Sequence, residues 1–312
     1  MEAVPSAPQP HRPVLYQETI EYLAPKSLGR YLDCTAGAGG HSFGILESSS
    51  PQGQLIAIDL DPTAIQLTTE NLRIFGDRAT IVHDSYLNAA RILQQKDWDK
   101  VDGIVLDLGV SSMQLDQVER GFSFRTEAPL DMRFNPTQGL TAADLVNNLE
   151  EKELADLIWK YGEERFSRRI ARRIIQRRPV LTTTQLADAV RSAIGGAHSK
   201  IDPATRTFQA IRIAVNDELR TIEESIPSLI ELLKPKGRLA IISFHSLEDR
   251  LVKQAFRRES SDCICPPEQP ICTCGHTATI KLITPRPVSP SAEEIEENPR
   301  ARSAKLRVAE KK

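Results

Sequence analysis

The sequence predicts an α/β protein with a doubly wound, mostly parallel sheet, and three observations support this prediction. Short continuous apolar runs, such as residues 55–58 and 103–106, alternate with helical segments, as in strands that are covered on both faces. A glycine-rich turn follows the first of these runs, at residues 37–40. Several of these runs end in an acidic residue, and parallel sheets bind their ligands at the carboxyl ends of the strands.

The composition is that of an ordinary globular protein, with 312 residues, 40% hydrophobic and 26% charged. No run of eighteen apolar residues occurs, and the first residues lack both a basic region and an apolar region. We therefore expect a cytoplasmic protein. The proline-rich residues 1–10 are predicted to be a disordered tail.

The first half of the sheet is predicted strand by strand. An amphipathic helix at residues 17–23 comes before strand one, which ends near Asp33. Strand two covers residues 55–58 and ends at Asp59, and the order Asp61-Pro62 starts the next helix, which runs to residue 72. Strands three and four are predicted at residues 80–82 and 103–106.

The alternation of strands and helices lapses between residues 115 and 215, where only helices are predicted, at 141–149, 152–161, 164–176 and 184–194. It then resumes with a helix at 217–233, a turn at 235–237 and strand five at 238–243. Ser246 to Asp249 is predicted to be a capping box, and segments 279–284 and 305–308 a closing antiparallel pair. The expected domains are 11–114 with 216–312, and an inserted helical domain at 115–215 for substrate recognition.

The glycine-rich turn is the candidate ligand site. It opens a helix, so that a ligand can approach bare backbone at the helix N-terminus. Asp59 follows Gly37 by twenty-two residues and suits a carboxylate that grips ribose hydroxyls. A dinucleotide-binding turn would have a third glycine where Ser42 stands. An acid before the turn, Asp33, instead resembles the first motif of class I S-adenosylmethionine-dependent methyltransferases.

Motifs along nearly the whole chain resemble the bacterial 16S ribosomal RNA cytosine-N4-methyltransferase family. They are residues 39–41, 106–112, 120–124, 129–133, 161–165, 205–210, 243–249 and 297–303. The resemblance implies methylation of a cytidine in the decoding region of small-subunit RNA, with the small ribosomal subunit as a partner. It also implies a cofactor pocket lined by Gly39, Gly40, His41, Asp59, Tyr86, Asp107 and Gln114. For Tyr86, contact with an adenine face and simple packing stay open.

The group that assists methyl transfer stays open. Cytosine N4 is a poor nucleophile, so the site must hold its amino hydrogens and place it in line with the methyl group. Related enzymes use an acid, asparagine or serine followed by Pro-Pro and an aromatic residue. Here Asp107 is not followed by Pro-Pro and an aromatic residue, and it contacts either substrate or cofactor. The catalytic candidates are Ser111, Ser112 and His245, although His245 alternatively bonds its own turn.

An arginine-rich segment is the candidate RNA surface. Seven arginines fall between residues 165 and 178, and no acid lies among them, which favours phosphate contact over a merely solvated helix face. Phe122 and Phe124 either stack on a flipped base or belong to the core. The predicted RNA-binding residues are Arg165, Arg168, Arg169, Arg172, Arg173, Arg206 and Arg212.

Four cysteines form two close pairs, Cys263 with Cys265 and Cys272 with Cys274. They predict either a structural zinc site or a loop of reduced thiols, because a framework of disulfides does not fit a cytoplasmic chain. A homodimer is compatible with the sequence. The alternative functions are a non-catalytic RNA-binding ribosome assembly factor and a nicotinamide-dependent oxidoreductase.

Overall fold

The computed structural model describes residues 13–195, 202–266, 268–269 and 271–312. The predicted tail at residues 1–10 lies outside them. The chain divides into two compact units. The first comprises the described residues up to Gly109 together with Leu219–Lys312, and the second is Val110–Glu218. The assignment of residues 115–215 to substrate recognition stays a prediction.

A seven-stranded sheet forms the centre of the first unit. Its strands are β1 (Arg30–Asp33), β2 (Gln54–Asp59), β3 (Ala79–His83), β4 (Val101–Asp107), β5 (Leu233–Ser243), β6 (Ile280–Leu282) and β7 (Lys305–Lys311). The spatial order is β3-β2-β1-β4-β5-β7-β6. The first five strands in this order are parallel, whereas β7 runs antiparallel to both β5 and β6. The predicted fold class, including the antiparallel pair, is confirmed.

The helices of the first unit lie around this sheet in chain order. They are α1 (Tyr16–Leu23), α2 (Gly40–Ser48), α3 (Pro62–Leu72) and α4 (Ala89–Gln95), and, after the second unit, α11 (Glu218–Glu231), α12 (Ser246–Glu259) and α13 (Ala292–Glu297). The second unit contains α5 (Ser112–Asp116), α6 (Ala142–Asn148), α7 (Glu151–Gly162), α8 (Ser167–Gln176), α9 (Thr183–Ile194) and α10 (Ala204–Asn216).

Both faces of the sheet are buried, which explains why the strands are continuous apolar runs. Successive side chains of a strand point to opposite faces. In β1, Leu32 belongs to one buried cluster and Tyr31 to another, and in β4 Ile104 and Val105 divide in the same way. Helices therefore cover both faces of the sheet, and its carboxyl edge is left for a ligand.

The second unit has its own apolar core, built from one face of each longer helix. Thr141 and Thr182 accept hydrogen bonds from the first turns of α6 and α9, so these threonines are the N-caps of the two helices. Helix α10 is absent from the predicted elements, although Ala204, Phe208 and Ile211 follow the helical spacing and are buried in this core.

Two local predictions were wrong. The turn expected at 235–237 lies inside β5, where the register with β4 shifts between the pairs Val101–Leu233 and Gly103–Arg238. Lys236 has φ +67° there, so the strand bulges without ending. In addition, the N-cap of α12 is His245 and not Ser246, because His245 and Glu248 form the reciprocal capping bonds.

Candidate functional site

The glycine-rich turn connects β1 to α2. Gly37 and Gly39 have φ +55° and +83°, a region that favours glycine. Gly40 is required for another reason, since a Cβ on it would lie 2.3 Å from Cγ of Pro13. Two glycines thus set the backbone path, while the third admits the segment that precedes α1.

A buried aspartate braces this turn from below. Asp33 Oδ1 accepts a hydrogen bond from the Thr35 N–H (3.1 Å), and Oδ2 accepts one from the Ser42 hydroxyl (2.6 Å). Burial raises the pKa of Asp33. Ser42, which stands where a dinucleotide site has its third glycine, is therefore the partner of Asp33. The roles of Ser42 and Thr35 depend on these contacts and were missed in the sequence.

Asp59 ends β2 directly beside the turn. Its Oδ2 accepts a hydrogen bond from the Gly37 N–H (2.8 Å), and its Oδ1 accepts one from the Asp61 N–H (2.9 Å). Burial raises its pKa to about 6, although both hydrogen bonds oppose the change. These bonds fix the carboxylate in place, and each oxygen keeps a further lone pair for a ligand hydroxyl.

His41 and Asp107 form the other side of the site. His41 Nε2 lies 3.5 Å from Asp107 Oδ2, and only 5% of His41 is exposed. Within the described residues, neither ring nitrogen of His41 nor Oδ1 of Asp107 has a hydrogen-bond partner. Buried polar atoms without partners are costly and usually mark a place that a ligand or water completes. This pair can therefore form further hydrogen bonds with a bound molecule.

The loop after β3 contributes Tyr86 and a residue that the sequence reasoning missed. Tyr86 begins a short 3-10 turn and is half-buried. The Asp84 N–H donates to the Asp59 carbonyl oxygen (3.1 Å), which ties this loop to the end of β2. Burial acts to raise the pKa of Asp84, but hydrogen bonds from Asn88 and Ser85 outweigh burial, and the pKa is lowered. Its position at a strand end was the signal that could have identified it.

The serine candidates lie at the start of the second unit. Ser111 is the N-cap of α5: its hydroxyl accepts a bond from the Gln114 N–H (3.2 Å), while Gln114 Oε1 accepts one from the Ser111 N–H (3.1 Å). The side chains of Ser111 and Gln114 therefore hold the helix start. Among the described residues, the Ser112 hydroxyl forms no hydrogen bond, so it is the more available of the two serines.

His245 is held by its own turn. Its Nδ1 accepts the Glu248 N–H (3.4 Å), and its Nε2 lies 3.1 Å from Glu248 Oε1. Glu248 is fully buried and also accepts the Phe244 N–H (2.8 Å). The imidazole therefore shapes the loop after β5, and this placement favours the structural interpretation of His245 over a catalytic one.

Helix α8 presents the arginine-rich surface within the second unit. Ile170, Ala171 and Ile174 are buried, whereas Arg165, Arg168, Arg169 and Arg172 are exposed. Arg172 pairs with Glu151 (3.3 Å), and the guanidinium groups of Arg165 and Arg169 lie over the Phe166 ring. In the described part of the chain, Arg168 has no ion-pair partner. The helix thus offers several guanidinium groups to an anion.

Other arginines near the predicted surface already have partners. Arg212 donates to both oxygens of Glu218 (2.8 Å each) and is 17% exposed, and Arg206 lies 3.7 Å from Glu164. Arg178 donates to the carbonyl oxygens of Val146 and Leu149 at the end of α6. A structural role suits Arg212 and Arg178 better than phosphate contact does.

Two aromatic candidates for base stacking are packed inside the second unit. Phe122 is buried and stacks on Phe134, with ring centroids 5.8 Å apart. Phe124 meets the edge of Phe208 at 4.8 Å. Both contacts favour the core interpretation over stacking on a flipped base.

The four clustered cysteines converge in the loop between α12 and β6. The Sγ atoms of Cys263 and Cys272 are 3.4 Å apart, those of Cys272 and Cys274 3.6 Å, and those of Cys274 and Cys263 3.9 Å. All four sulfurs lie within 4.8 Å of one another. Zn–S bonds of about 2.3 Å in a tetrahedron require sulfurs about 3.8 Å apart. The cluster therefore has the dimensions of a zinc site.

Backbone N–H groups point at the same sulfurs. Cys265 N lies 3.4 Å from Cys263 Sγ, and the N–H groups of Ile264 and His276 each lie 3.5 Å from Cys274 Sγ. Such donors stabilise thiolates and orient metal ligands. The His276 ring is engaged elsewhere, with Nε2 at 3.0 Å from the Arg258 carbonyl oxygen.

Comparison with known proteins places the chain in a family. The model of the MraW methylase family matches residues 8–312. The chain belongs to this family. A relative in Dehalococcoides mccartyi, ribosomal RNA small subunit methyltransferase H, is 56% identical over 302 residues, 97% of this chain and 86% of the relative. The protein of the same name in Thermomicrobium roseum is 51% identical over 304 residues, 96% of this chain and 93% of that one. The resemblance inferred from the motifs is confirmed.

A solved rRNA methylase from Streptococcus thermophilus is more distant from this methylase. It is 11% identical and has a TM-score of 0.42, over 95% of this chain and 93% of that one. Within the described residues, no helix of the methylase is long and apolar enough to cross a membrane.

The residues of the first unit fit S-adenosylmethionine, the cofactor of this methylase. The open N-terminus of α2 can receive a carboxylate, and the Asp59 carboxylate can receive ribose hydroxyls. The buried nitrogens of His41, which have no hydrogen-bond partner among the described residues, give the site further unused polar capacity. A turn that binds pyrophosphate is not needed, because S-adenosylmethionine carries no phosphate.

Because the pKa of Asp59 is about 6, cofactor affinity should depend on pH. If only the ionised carboxylate grips ribose, the Kd at pH 5 should be about tenfold higher than at pH 8. Calorimetric titrations across this range would measure the change, and Asp59→Asn should flatten it. A pH-independent Kd in the wild-type protein would contradict the role of Asp59.

The Asp59 carboxyl group should also make the stability of the folded protein depend on pH, but in the opposite direction to cofactor affinity. The pKa of Asp59 rises from 3.8 to about 6 on folding, so the folded state binds its proton more tightly. The stabilisation from Asp59 is therefore present below about pH 4 and is lost as the pH rises to about 6.

Proposed function

We propose that this methylase transfers a methyl group from S-adenosylmethionine to N4 of a cytidine in the decoding region of 16S ribosomal RNA. The observation that carries the proposal is the pair His41 and Asp107 beside the β1–α2 turn, whose buried polar atoms have no hydrogen-bond partner among the described residues, in a chain whose relatives are ribosomal RNA small subunit methyltransferases. The assembled small subunit is the proposed context, and the cytoplasm the proposed location.

The chain's own residues would hold the two reactants. Gly39, Gly40 and His41 would bind the amino-acid end of the cofactor, Asp59 its ribose, and the segment of Asp84 and Tyr86 its adenine. When bound, the cofactor supplies an electrophilic methyl group. Asp107 Oδ1, which has no partner among the described residues, would accept a hydrogen bond from the bound ligand.

Of the three residues predicted to be catalytic, only Ser112 would touch the substrate. Ser112 would accept a hydrogen bond from the cytosine amino group, which favours a more tetrahedral nitrogen and therefore a better nucleophile. Ser111, with Gln114, would position that serine through the cap of α5. His245 would act as a positioning residue for the loop after β5.

Methyl transfer can be measured directly. Purified protein is incubated with S-adenosylmethionine labelled in the methyl group and with either naked 16S RNA or small subunits, and the RNA is digested to nucleosides. We expect label in N4-methylcytidine. Folded protein that binds the cofactor and RNA but transfers no label to either substrate would favour the alternative of a non-catalytic assembly factor.

The arginine face of α8 is proposed to contact RNA phosphates, through Arg165, Arg168, Arg169, Arg172 and Arg173, with a smaller contribution from Arg206. The double variant Arg168→Gln and Arg172→Gln should weaken RNA binding and lower the slope of log affinity against log salt by about 0.7 to 0.9 for each phosphate that is no longer neutralised. Filter binding at several salt concentrations measures this slope. An unchanged slope would show that these arginines face solvent only, while cofactor affinity serves as the control.

We further propose that Cys263, Cys265, Cys272 and Cys274 hold a structural zinc ion. The sulfur distances and the N–H groups directed at them support this assignment. The loop links Glu259 at the end of α12 to Thr279 before β6. Zinc would therefore brace this connection and take no part in methyl transfer.

The homodimer stays a prediction, which light scattering can test.

A further inference from the structure

The surface between α8 and α9 contains a cavity of about 240 Å³. Its lining residues come from both helices of the second unit: Arg169, Arg172, Arg173, Gln176, Ser192 and Ala193. The cavity is open to solvent, and its volume is many times the roughly 10–15 Å³ that one water molecule needs in this measure. A phosphate group can therefore enter it.

All the charged residues that line this cavity are arginines. Three of the six residues carry guanidinium groups, and none carries a carboxylate. Gln176 Oε1 accepts from Arg173 Nη1 (3.3 Å), which leaves the Gln176 amide nitrogen as a donor. The only acid paired with these arginines in the described residues is the exposed Glu151, 3.3 Å from Arg172.

The charge balance favours an anion in spite of the helix ends. The α8 part of the lining runs from Arg169 in the first turn to Gln176 at the last residue, while the α9 part lies in its last turn. The two helix C-termini therefore contribute at most about one negative charge. Three guanidinium groups exceed that charge and the one from Glu151 combined. Each guanidinium group can also donate two parallel N–H bonds to a phosphate. Arginines that converge on one cavity can direct these donors at the same phosphate, whereas arginines spread over a flat face need not.

We propose that this cavity is a seat for one backbone phosphate of the RNA substrate. This proposal rests on the proposed RNA methylation and adds to it one defined contact with the substrate. If the cavity is such a seat, RNA affinity should depend on the shape of the cavity as well as on its charge. An open basic face would respond to the removal of arginines only. A seat is also blocked by a neutral side chain that fills it.

The main test is Ser192→Phe, which fills the cavity without changing charge. Ser192 is exposed, so the substitution leaves the core of the second unit in place. RNA affinity should fall by about tenfold, the effect of removing one charge-assisted hydrogen bond. The matched control is Ser228→Phe, which adds an aromatic ring to an exposed position of α11 and should change affinity by less than about twofold.

A charge-matched pair completes the design. Arg169→Gln with Arg173→Gln should weaken RNA binding at least as much as Ser192→Phe. Arg73→Gln with Arg257→Gln, two exposed arginines of the first unit, removes the same charge and should have a smaller effect. Equally weakened binding in both pairs, together with unchanged affinity in Ser192→Phe, would overturn the seat.

Binding of inorganic phosphate alone gives an independent measurement. In NMR spectra of arginine side chains, Arg169 and Arg173 should shift on titration with phosphate, and Ser192→Phe should abolish the shifts. Displacement of RNA by polyglutamate as effectively as by RNA of equal length would point to an acidic protein and overturn the proposal. If the wild type methylates RNA while the variants behave like their controls, only the seat fails. If no RNA is methylated, the proposed function fails, and the phosphate titration still judges the cavity.

Discussion

Replacement of Asp59 by asparagine should raise the Kd for S-adenosylmethionine by about 10- to 100-fold, because a charge-assisted hydrogen bond to ribose contributes about 1.5 to 3 kcal/mol. The carboxylate is already oriented by the N–H groups of Gly37 and Asp61, at 2.8 and 2.9 Å. Binding therefore needs no reorganisation of this side chain. Isothermal titration calorimetry on the folded variant measures the change.

A matched control lies at the opposite ends of the strands, where β4 begins. Asp102 also accepts a backbone N–H, from Arg30 at 2.8 Å, but it lies near the start of β4 and not at a carboxyl end. Asp102→Asn should lower thermal stability and leave the Kd unchanged. Equal Kd values for wild type and Asp59→Asn would reject the ribose contact, and an equal rise of Kd in both variants would show that only stability had changed.

The zinc site should give an effect that is nearly all or none. The wild-type protein should contain one zinc ion per chain, and Cys263→Ser with Cys272→Ser should contain none, because two of the four thiolates are removed. Metal binding energy is folding energy for such a loop, so the variant should unfold at a lower temperature. Elemental analysis and thermal unfolding with and without a chelator measure both quantities.

Cys34 provides the matched control for the zinc site. It is a buried free thiol in the first unit, apart from the cluster. Cys34→Ala should lower stability through packing and keep its zinc. Metal-free wild-type protein with unchanged stability on chelation would reject the zinc site. Loss of methyl transfer on chelation at an unchanged fold would instead contradict its purely structural role.

Strand prediction succeeded where burial was uniform along the sequence. The apolar runs of β2 and β4 are buried on both faces, so each run carries its own signal, and the acids that end them follow directly. The helix α10 was missed although its burial pattern is regular. Its sequence was recognised only as a motif, and the bulge in β5 was mistaken for a turn because Pro235 and Gly237 are turn residues in isolation.

Side-chain roles were harder to predict, because they depend on partners distant in sequence. The close approach of Pro13 to Gly40, which leaves no room for a Cβ there, was not visible in the sequence. Arg212 looked like a free cation, yet Glu218 binds it. Each role is decided by a neighbour whose position the local pattern does not encode.

The sequence by itself determined the order of the strands, the glycine turn with its later aspartate, and the presence of four thiols at close spacing. These depend on short-range periodicity and backbone preferences. The tertiary structure alone decided that His41 is buried beside Asp107 with no hydrogen-bond partner among the described residues, that the four sulfurs converge, and that arginines of α8 meet α9 around a cavity. The physical reason is that burial, ion pairing and cavity shape are set by contacts between segments far apart in the chain.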